Sequence, residues 1–578
     1  MGYINNKGHG GYQRNGNPAR DEEDKIATAP YNFVSLPYEG DDPKNYKTLS
    51  TKAVSDEGKD LYSGTITCTL KALTPIMVAG PSDRNEKNGV RKFLEVDNQK
   101  IIQGSSIKGM FRSYIEAFSC SVMHPVIDSY IYWRNVTGKG KGAGVYKDSF
   151  EEVPTGGFLK KIGARYKFYK AEDITRIPEH DKEAYCTGRM FRKNKGYYFG
   201  EPSGEGEFLD DEIVNRFLNE VNSNNEQKKI WSREQNKLNN NGYARVFCIY
   251  YKDGERKGQV KELGVARYLR IPYPHTPAQM AGEFNSDDFC AQLFGYVDAK
   301  NKNQKAKKGK LSFSECRLNN AKELGTKSLI LGGPHPTCVQ HYVDQWVDGG
   351  DVPSRYKKKN NADDLDAYQK GNALRGRKFY WHRKTQLQNT NTENKDVVTN
   401  FIPVDKGAEG TFRITLNSVN EFELGAILEL LNLPENSACK IGMAKPYGYG
   451  SVKITVQKYD LQKDSSRYGS ISQRLSNTDN SISEKDRDNL IDNFEKYVCD
   501  SIYPGKNNSY EDILSIADLR EMMLIQDGSC NRLENTDWAQ RTAYMASPTD
   551  KNAQPSYRDK KILPYPDDVK NINKDKGE

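Results

Sequence analysis

Gln103-Gly104-Ser105-Ser106-Ile107-Lys108-Gly109-Met110-Phe111-Arg112 reads as a helix entrance that faces an anion. Ser105 and Ser106 are residue types that cap helix N-termini, and Ile107, Phe111, Tyr114, Ile115 and Phe118 follow at helical spacing. The spacing predicts a helix running to about Ser119. Free backbone N–H groups and the positive dipole end at such an entrance attract anions, and Gly104 lets a ligand approach the backbone closely. Lys108 and Arg112, four apart, share a face that is not the apolar one. A nucleic-acid backbone fits that face. An ordinary amphipathic helix with two solvated cations satisfies the same letters, so the setting in the chain has to decide.

Upstream, Ile66, Cys68, Leu70 and Ala72 alternate with Thr65, Thr67, Thr69 and Lys71, the period of a half-buried strand over Gly64 to Leu73. That strand leads into Thr74-Pro75-Ile76-Met77-Val78-Ala79-Gly80 and then a polar loop, Pro81 to Lys92, holding Asp83, Arg84, Glu86, Lys87 and Arg91. Ile101-Ile102 then form a short strand that delivers the chain to Gly104.

Downstream, Phe289 to Gly295 is followed by a lysine cluster (Lys302, Lys305, Lys307, Lys308, Lys310) with no acidic residue between its members and by one strand, Leu311 to Leu318. The cluster suits RNA or a solvated loop. Arg375-Gly376-Arg377-Lys378-Phe379-Tyr380-Trp381-His382-Arg383-Lys384 packs aromatics among cations, which suits base stacking with phosphate neutralisation, or a strand with a basic solvent face. Gly410 to Asn417 alternates as a strand and Glu421 to Leu431 is an amphipathic helix. Gly442-Met443-Ala444-Lys445-Pro446-Tyr447-Gly448-Tyr449-Gly450 then runs into a strand, Val452 to Val456. Its glycines let a backbone hug a phosphate chain, with Lys445 neutralising and Tyr447 and Tyr449 covering bases.

The totals agree with a nucleic-acid partner without requiring one. The 578-residue chain carries a net charge of +8, a small difference between 86 cationic and 78 anionic side chains, so local basic patches matter more than the total. Aromatics make up 11% of residues, 35 of them Tyr, a supply of rings for stacking. Mean hydropathy is −0.84 and no apolar run reaches about 18 residues, so no membrane span is expected. Met1 to Asp24 is too polar for a signal peptide, and the expected location is the cytoplasm. Ten cysteines without a Cys-x-x-Cys pair argue against a disulfide framework or standard zinc finger. Cys120 and His124 have a spacing that, with Cys186 or Cys290, offers a zinc site; reduced, buried cysteines are the alternative.

Taken as an ordered set, these motifs resemble the RAMP superfamily of CRISPR-associated proteins, and within it the backbone-forming subunits of type III effector complexes. The resemblance covers about residues 60 to 120, 285 to 320 and 405 to 457, with Ala29 to Pro37 and Gly376 to His382 similar to a large subgroup carrying insertions. It implies an α+β fold: an RRM-like, ferredoxin-type core over 29–457 with insertions at about 135–245 and 320–400. A disordered segment, 1–28, precedes it, and a mostly helical extension with a polar linker, 458–578, follows. The resemblance also implies that Gly104, Ser105, Ser106, Lys108 and Arg112, with Lys445, Tyr447, Gly448, Tyr449 and Gly450, face CRISPR RNA. Lys307, Lys308, Arg377 and Lys378 are further RNA-binding candidates from composition.

In such subunits an aspartate in the loop after the first strand cuts target RNA with Mg2+. That position falls near Asn88 here, and Asp83, with Glu86 beside it, is the candidate carboxylate. The implied partners are CRISPR RNA, target RNA and other subunits of a type III complex. Two other readings compete: a metal-independent endoribonuclease processing precursor RNA through His382 with Tyr380 and Lys378, and a general RNA-binding scaffold.

Overall fold

The alternation in the first strand is what the fold is built on. β1 (Tyr62–Ala72) buries Ile66, Cys68, Leu70 and Ala72 and turns its threonines to the other face. In this computed structural model the described residues are 26–37, 60–81, 89–123, 129–134, 154–178, 180–181, 184–190, 193–223, 225–273, 275–281, 287–297, 306–331, 339–343, 374–390, 397–468, 482–505, 508–545 and 563–570. The chain divides into two compact units. The first comprises Met1–His124, Phe284–Ala362 and Leu374–Glu578; the second comprises Pro125–Glu283 and Asp363–Ala373.

In the first unit β1 is followed by α1 (Gly104–Phe118), β2 (Leu311–Phe313), β3 (Cys316–Asn319), β4 (Glu409–Val419), α2 (Glu421–Leu431) and β5 (Ser451–Lys463). The central order is β5-β1-β4-β3, every neighbour antiparallel, with β2 also on β4. Since β2 and β3 are consecutive pieces on one flank of β4, the chain runs strand, helix, two strands, helix, strand. The single strand expected over Leu311 to Leu318 is broken at Ser314, whose Oγ accepts from Arg413 N–H at 2.9 Å in place of a ladder carbonyl. Gln99–Ile102 extends the sheet beyond β3.

α1 buries Ile107, Met110, Phe111, Tyr114, Ile115, Ala117 and Phe118, the face its spacing forecast. Phe111 lies with its ring 5.0 Å from that of Phe313, and truncating so enclosed a ring to Ala costs about 3–5 kcal/mol. α2 starts on a capping box: Asn420 Oδ1 accepts from Glu423 N–H and Glu423 Oε2 from Asn420 N–H, both at 2.9 Å. Beyond β5, α3 (Glu484–Ile502) packs on α2, and α4 (Leu514–Met523) on α1. Their Leu490, Phe494, Val498, Ile516, Leu519 and Met522 belong to the same hydrophobic core as β1. This segment also forms a small hairpin, Gln526–Asp527 with Cys530–Asn531.

The second unit holds a five-stranded antiparallel sheet ordered Pro202–Phe208, Arg165–Ala171, Thr155–Ile162, Ala244–Tyr250, Val260–Gly264. It contains the expected insertion of about 135–245 and extends past both its ends. The Asn-rich run 222–241, which reads as an exposed excursion, is instead largely a helix, Asn225–Asn239. Trp231 and Leu238, seven apart and so on one face, seat it on the sheet; Glu234 on that same face is buried and pairs with Arg245 at 2.9 Å, while the remaining polar residues line the exposed side. No described helix is long and apolar enough to cross a membrane.

Candidate nucleic-acid interface

α1 begins at Gly104 with Gln103 as N-cap, extended in backbone and making no side-chain cap hydrogen bond. Ser105 and Ser106 therefore stand in the first turn, Ser105 exposed and Ser106 half-buried, rather than capping it. Gly104 serves packing: a Cβ there would lie 2.2 Å from the Phe313 carbonyl oxygen, so the residue lets helix meet strand, not ligand. Gly109, one turn on, has open space at its Cβ position and sits exposed between Lys108 and Arg112. Neither cationic side chain has a hydrogen-bond or ion-pair partner among the described residues. Burial lowers the Lys108 pKa, and Arg112 adds to that. The face is positively charged; Glu116, one turn beyond Arg112, feels that charge but is itself bonded to Arg377.

The Gly442 to Gly450 loop is folded on its own protein. Gly448 and Gly450 both have φ of +86°, and a side chain at Gly450 would strike the Ile441 carbonyl at 2.1 Å. Tyr449 is fully buried, its hydroxyl donating to Gln386 O at 3.1 Å; half-buried Tyr447 donates to Ile330 O at 3.1 Å. These rings hold the loop and do not stand free to cover bases. What the loop gathers is positive charge. Lys440 is buried with its ammonium donating to Tyr449 O at 3.0 Å, and Arg383 donates to Pro446 O at 2.9 Å and Ala539 O at 2.7 Å. The Lys445 ammonium has no partner among the described residues. Burial pulls all three pKa values down, that of Arg383 to about 10, and neither Lys440 nor Arg383 pairs with a carboxylate. A desolvated cation without a counter-charge favours an arriving anion. Lys440 was missed in the sequence; its signal is a lone charge inside the apolar run Ala438-Cys439-Lys440-Ile441.

Helix entrance and loop hang from one extended segment, Thr74 to Gly80. Gly450 N–H donates to Pro75 O and Met443 N–H to Met77 O, both at 2.9 Å, and Gln103 Nε2 reaches Ala79 O at 3.4 Å. A further tie joins Lys440 N–H to the Tyr114 hydroxyl of α1 at 2.8 Å. The loop bearing Asp83 and Glu86 leaves from this segment and closes where Gly80 N–H meets Lys92 O at 2.8 Å. Asp83 and Glu86 themselves lie outside the described residues.

Other candidates fall elsewhere. Arg377 is buried in an ion pair with Glu116 at 3.0 Å and also donates to Ser121 O, so it serves the fold. Lys378 sits 3.8 Å over the Tyr31 ring and donates to the Tyr342 hydroxyl at 2.7 Å; burial brings its pKa to about 8. His382, 1% exposed, has Nδ1 2.8 Å from Ser451 Oγ and Nε2 3.0 Å from Ala438 O. Enclosed and bonded at both nitrogens, it cannot meet a substrate, which removes the acid-base pair expected with Tyr380. Of the lysine cluster, Lys307 and Lys308 are exposed on the strand Ala306–Lys308, while Lys310 pairs with Glu423 at 2.7 Å. Lys302 and Lys305 lie outside the described residues.

Cys120 is fully buried, and burial pushes its thiol up to about 12, a poor start for a thiolate ligand. His124 and the Cys186 side chain lie outside the described residues, and buried Cys290 has its Sγ 3.9 Å from Arg112 O. Among the described residues no group of three or more His, Cys, Asp or Glu could hold a metal.

The sequence model described as the RAMP superfamily matches residues 69–453, from inside β1 to the start of β5. The chain belongs to the RAMP superfamily. No curated protein matches this RAMP chain. Among solved structures it is similar to Csc2 of Thermofilum pendens, at 10% identity and a TM-score of 0.22, covering 82% of this chain and 92% of that one. It is also similar to a chain of a CRISPR RNA-guided surveillance complex in a pre-nicking state, at 11% identity, TM-score 0.20 and coverage of 78% and 95%. A third is a chain of the type III-B Cmr-beta complex bound to cognate target RNA, at 11% identity, TM-score 0.18 and coverage of 68% and 98%. The family membership rests on the sequence match.

Proposed function

We propose that the chain is a CRISPR RNA-binding subunit of a type III RNA-guided effector complex, forming part of the guide backbone beside other subunits and helping to bind target RNA. The observation that carries this is the charge of Lys108 and Arg112 on α1, neither hydrogen-bonded nor ion-paired among the described residues, tied through Thr74 to Gly80 to the loop that presents Lys445. The sheet order supports an RRM-like core. Its open face, however, carries Thr65, Thr67 and Thr69 opposite Thr415, Arg413 and Thr411, with no ring among the described residues of these two strands on that side, which does not suit base stacking as on an RNA-recognition sheet. The guide is held by its phosphates, at the edge where helix and loop meet.

Two measurements test this. RNA that co-purifies is sequenced: guides with a repeat-derived tag support the reading, and heterogeneous RNA favours the general scaffold. The double variant Lys108→Ala/Arg112→Ala lowers guide affinity and flattens its salt dependence by about 0.7 for each phosphate no longer neutralised. An unchanged slope sinks the site.

We infer further that, were the chain to cut target RNA, Asp83 would hold the Mg2+ that supplies the metal-assisted chemistry, with Glu86 assisting. Carboxylates are the hard oxygen ligands that Mg2+ takes, and the loop bearing them leaves from the segment that positions both RNA-facing elements. Asp83→Ala then abolishes Mg2+-dependent cleavage while leaving guide binding intact; persistent cleavage rejects the role.

A further inference from the structure

The second unit carries a surface that the guide-binding reading does not use. Its hairpin of Thr155–Ile162 and Arg165–Ala171 holds five cations, Lys160, Lys161, Arg165, Lys167 and Lys170, and no carboxylate. None of the five has an ion-pair partner among the described residues. Pairing of Lys160 with Lys167 and of Ile162 with Arg165 places these side chains on one face of the sheet, with Tyr169. Phe208, opposite Lys167 on the neighbouring strand, joins them.

That face is a lattice of rings and cations. Lys160 Nζ lies 4.9 Å from the Tyr243 ring centre, Arg165 Cζ 4.7 Å from Phe208, and Lys167 Nζ 5.0 Å from Phe208 and 5.6 Å from Tyr169. Tyr169 and Tyr243 meet edge to face at 5.6 Å. Gly206 makes room for this: a Cβ there would lie 2.8 Å from the Tyr169 ring. The same sheet face is covered further along by Tyr185, Tyr197 and Phe199, so its exposure at the hairpin end is local. There Phe208 is 43% and Ile162 42% exposed.

We propose that this hairpin end binds single-stranded nucleic acid, the exposed ring of Phe208 stacking a base with the half-buried rings of Tyr169 and Tyr243 beside it, while Lys160, Arg165 and Lys167 neutralise phosphates. The arrangement favours that occupant over an acidic polypeptide, because an acidic chain needs the cations and has no use for a half-open phenylalanine among them. A strand of alternating bases and phosphates uses both. Duplex fits less well, since its bases are already stacked.

The test uses the full chain in the Lys108→Ala/Arg112→Ala background, so that failure here is separable from failure of the guide site, with a short fluorescent oligo-uridine as probe. Phe208→Leu is expected to weaken binding about tenfold with the salt slope unchanged, since stacking disappears and the phosphate pairings are kept. Lys160→Gln/Arg165→Gln/Lys167→Gln is expected to reduce the slope by about 2, roughly 0.7 for each of three phosphates. Ultraviolet crosslinks should map to peptides containing Phe208, Tyr169 or Tyr243. Circular dichroism guards against misfolding, and Phe208→Tyr, which keeps a ring, should retain binding. The proposal is overturned if Phe208→Leu and the triple variant bind as the parent does. It is equally overturned if polyglutamate binds as tightly as the oligonucleotide and only the triple variant loses both, which would make the surface a protein-docking patch.

Discussion

Two basic regions of the first unit use similar letters to opposite ends. On α1, Lys108 and Arg112 flank an exposed glycine, and their side chains bond to nothing among the described residues. In Arg375 to Lys384, Arg375 donates to the carbonyls of Leu563 and Pro564, Arg377 pairs with Glu116, and Arg383 reaches Pro446 and Ala539. Trp381 beside them is buried and meets Trp538 edge to face at 5.2 Å. Density of Arg, Lys and aromatics does not separate an RNA surface from a seam that fastens chain segments hundreds of residues apart. What separates them is whether each donor already has an acceptor.

Breaking the seam should give the largest effect. Arg377→Ala takes from half-buried Glu116 the partner it is bonded to, leaving Arg112 as the cation that still acts on it, so urea unfolding should show a loss of about 3 kcal/mol, the low end for a broken buried pair, with guide affinity of the folded fraction retained. A stable Arg377→Ala that fails to bind RNA would erase the contrast. Next comes pH. Burial, helped by nearby Lys440, holds the His382 pKa well below its ordinary 6.5, so the folded ring stays neutral where the unfolded one takes a proton. Its contribution is therefore complete above pH 6.5 and falls by about 1.4 kcal/mol per pH unit below that, until the folded ring also protonates. Comparing the stability of the parent and His382→Gln between pH 7 and 5 isolates this slope as a difference; parallel curves would contradict the burial.

Gly109→Ala sharpens the other side of the comparison. The added methyl meets nothing and removes a helix-interior glycine, so stability should rise by about 0.5–1 kcal/mol, while the proposed path of RNA along that backbone requires guide affinity to fall. Better thermal stability with unchanged affinity would place the RNA elsewhere. The smallest expected change is the stability of Lys108→Ala/Arg112→Ala, within about 0.5 kcal/mol of the parent, as befits side chains that hold nothing in place. A large drop would turn both into fold residues.

Periodicity made much of the fold legible. The alternation of Ile66, Cys68, Leu70 and Ala72 and the helical spacing of Ile107 to Phe118 state which face is inside, and the structure buries those faces; Glu421 to Leu431, expected to be amphipathic, is a helix buried all round from Glu423 to Leu431 because α3 covers the side that reads as polar. The site was half legible. Glycine, lysine and serine mark where a backbone turns and where charge sits, but not what fills the space a glycine vacates. Gly104 and Gly450 read as room for a ligand, whereas carbonyls of Phe313 and Ile441 occupy it. Lys440 escaped because its role arises from enclosure by Tyr449 and Tyr114, which come from different parts of the chain. The helix Asn225–Asn239 escaped because two large apolar residues outweighed a run of polar ones.

Thr74 to Gly80 acts as a strap with two buckles. Because Gln103 at the head of α1 reaches Ala79 O and the glycine loop fastens at Pro75 and Met77, the few residues of backbone between those anchors space the two sets of cations. Lengthening the strap by a single residue would therefore put the two grips out of step along a polynucleotide while the sheet beneath stayed whole.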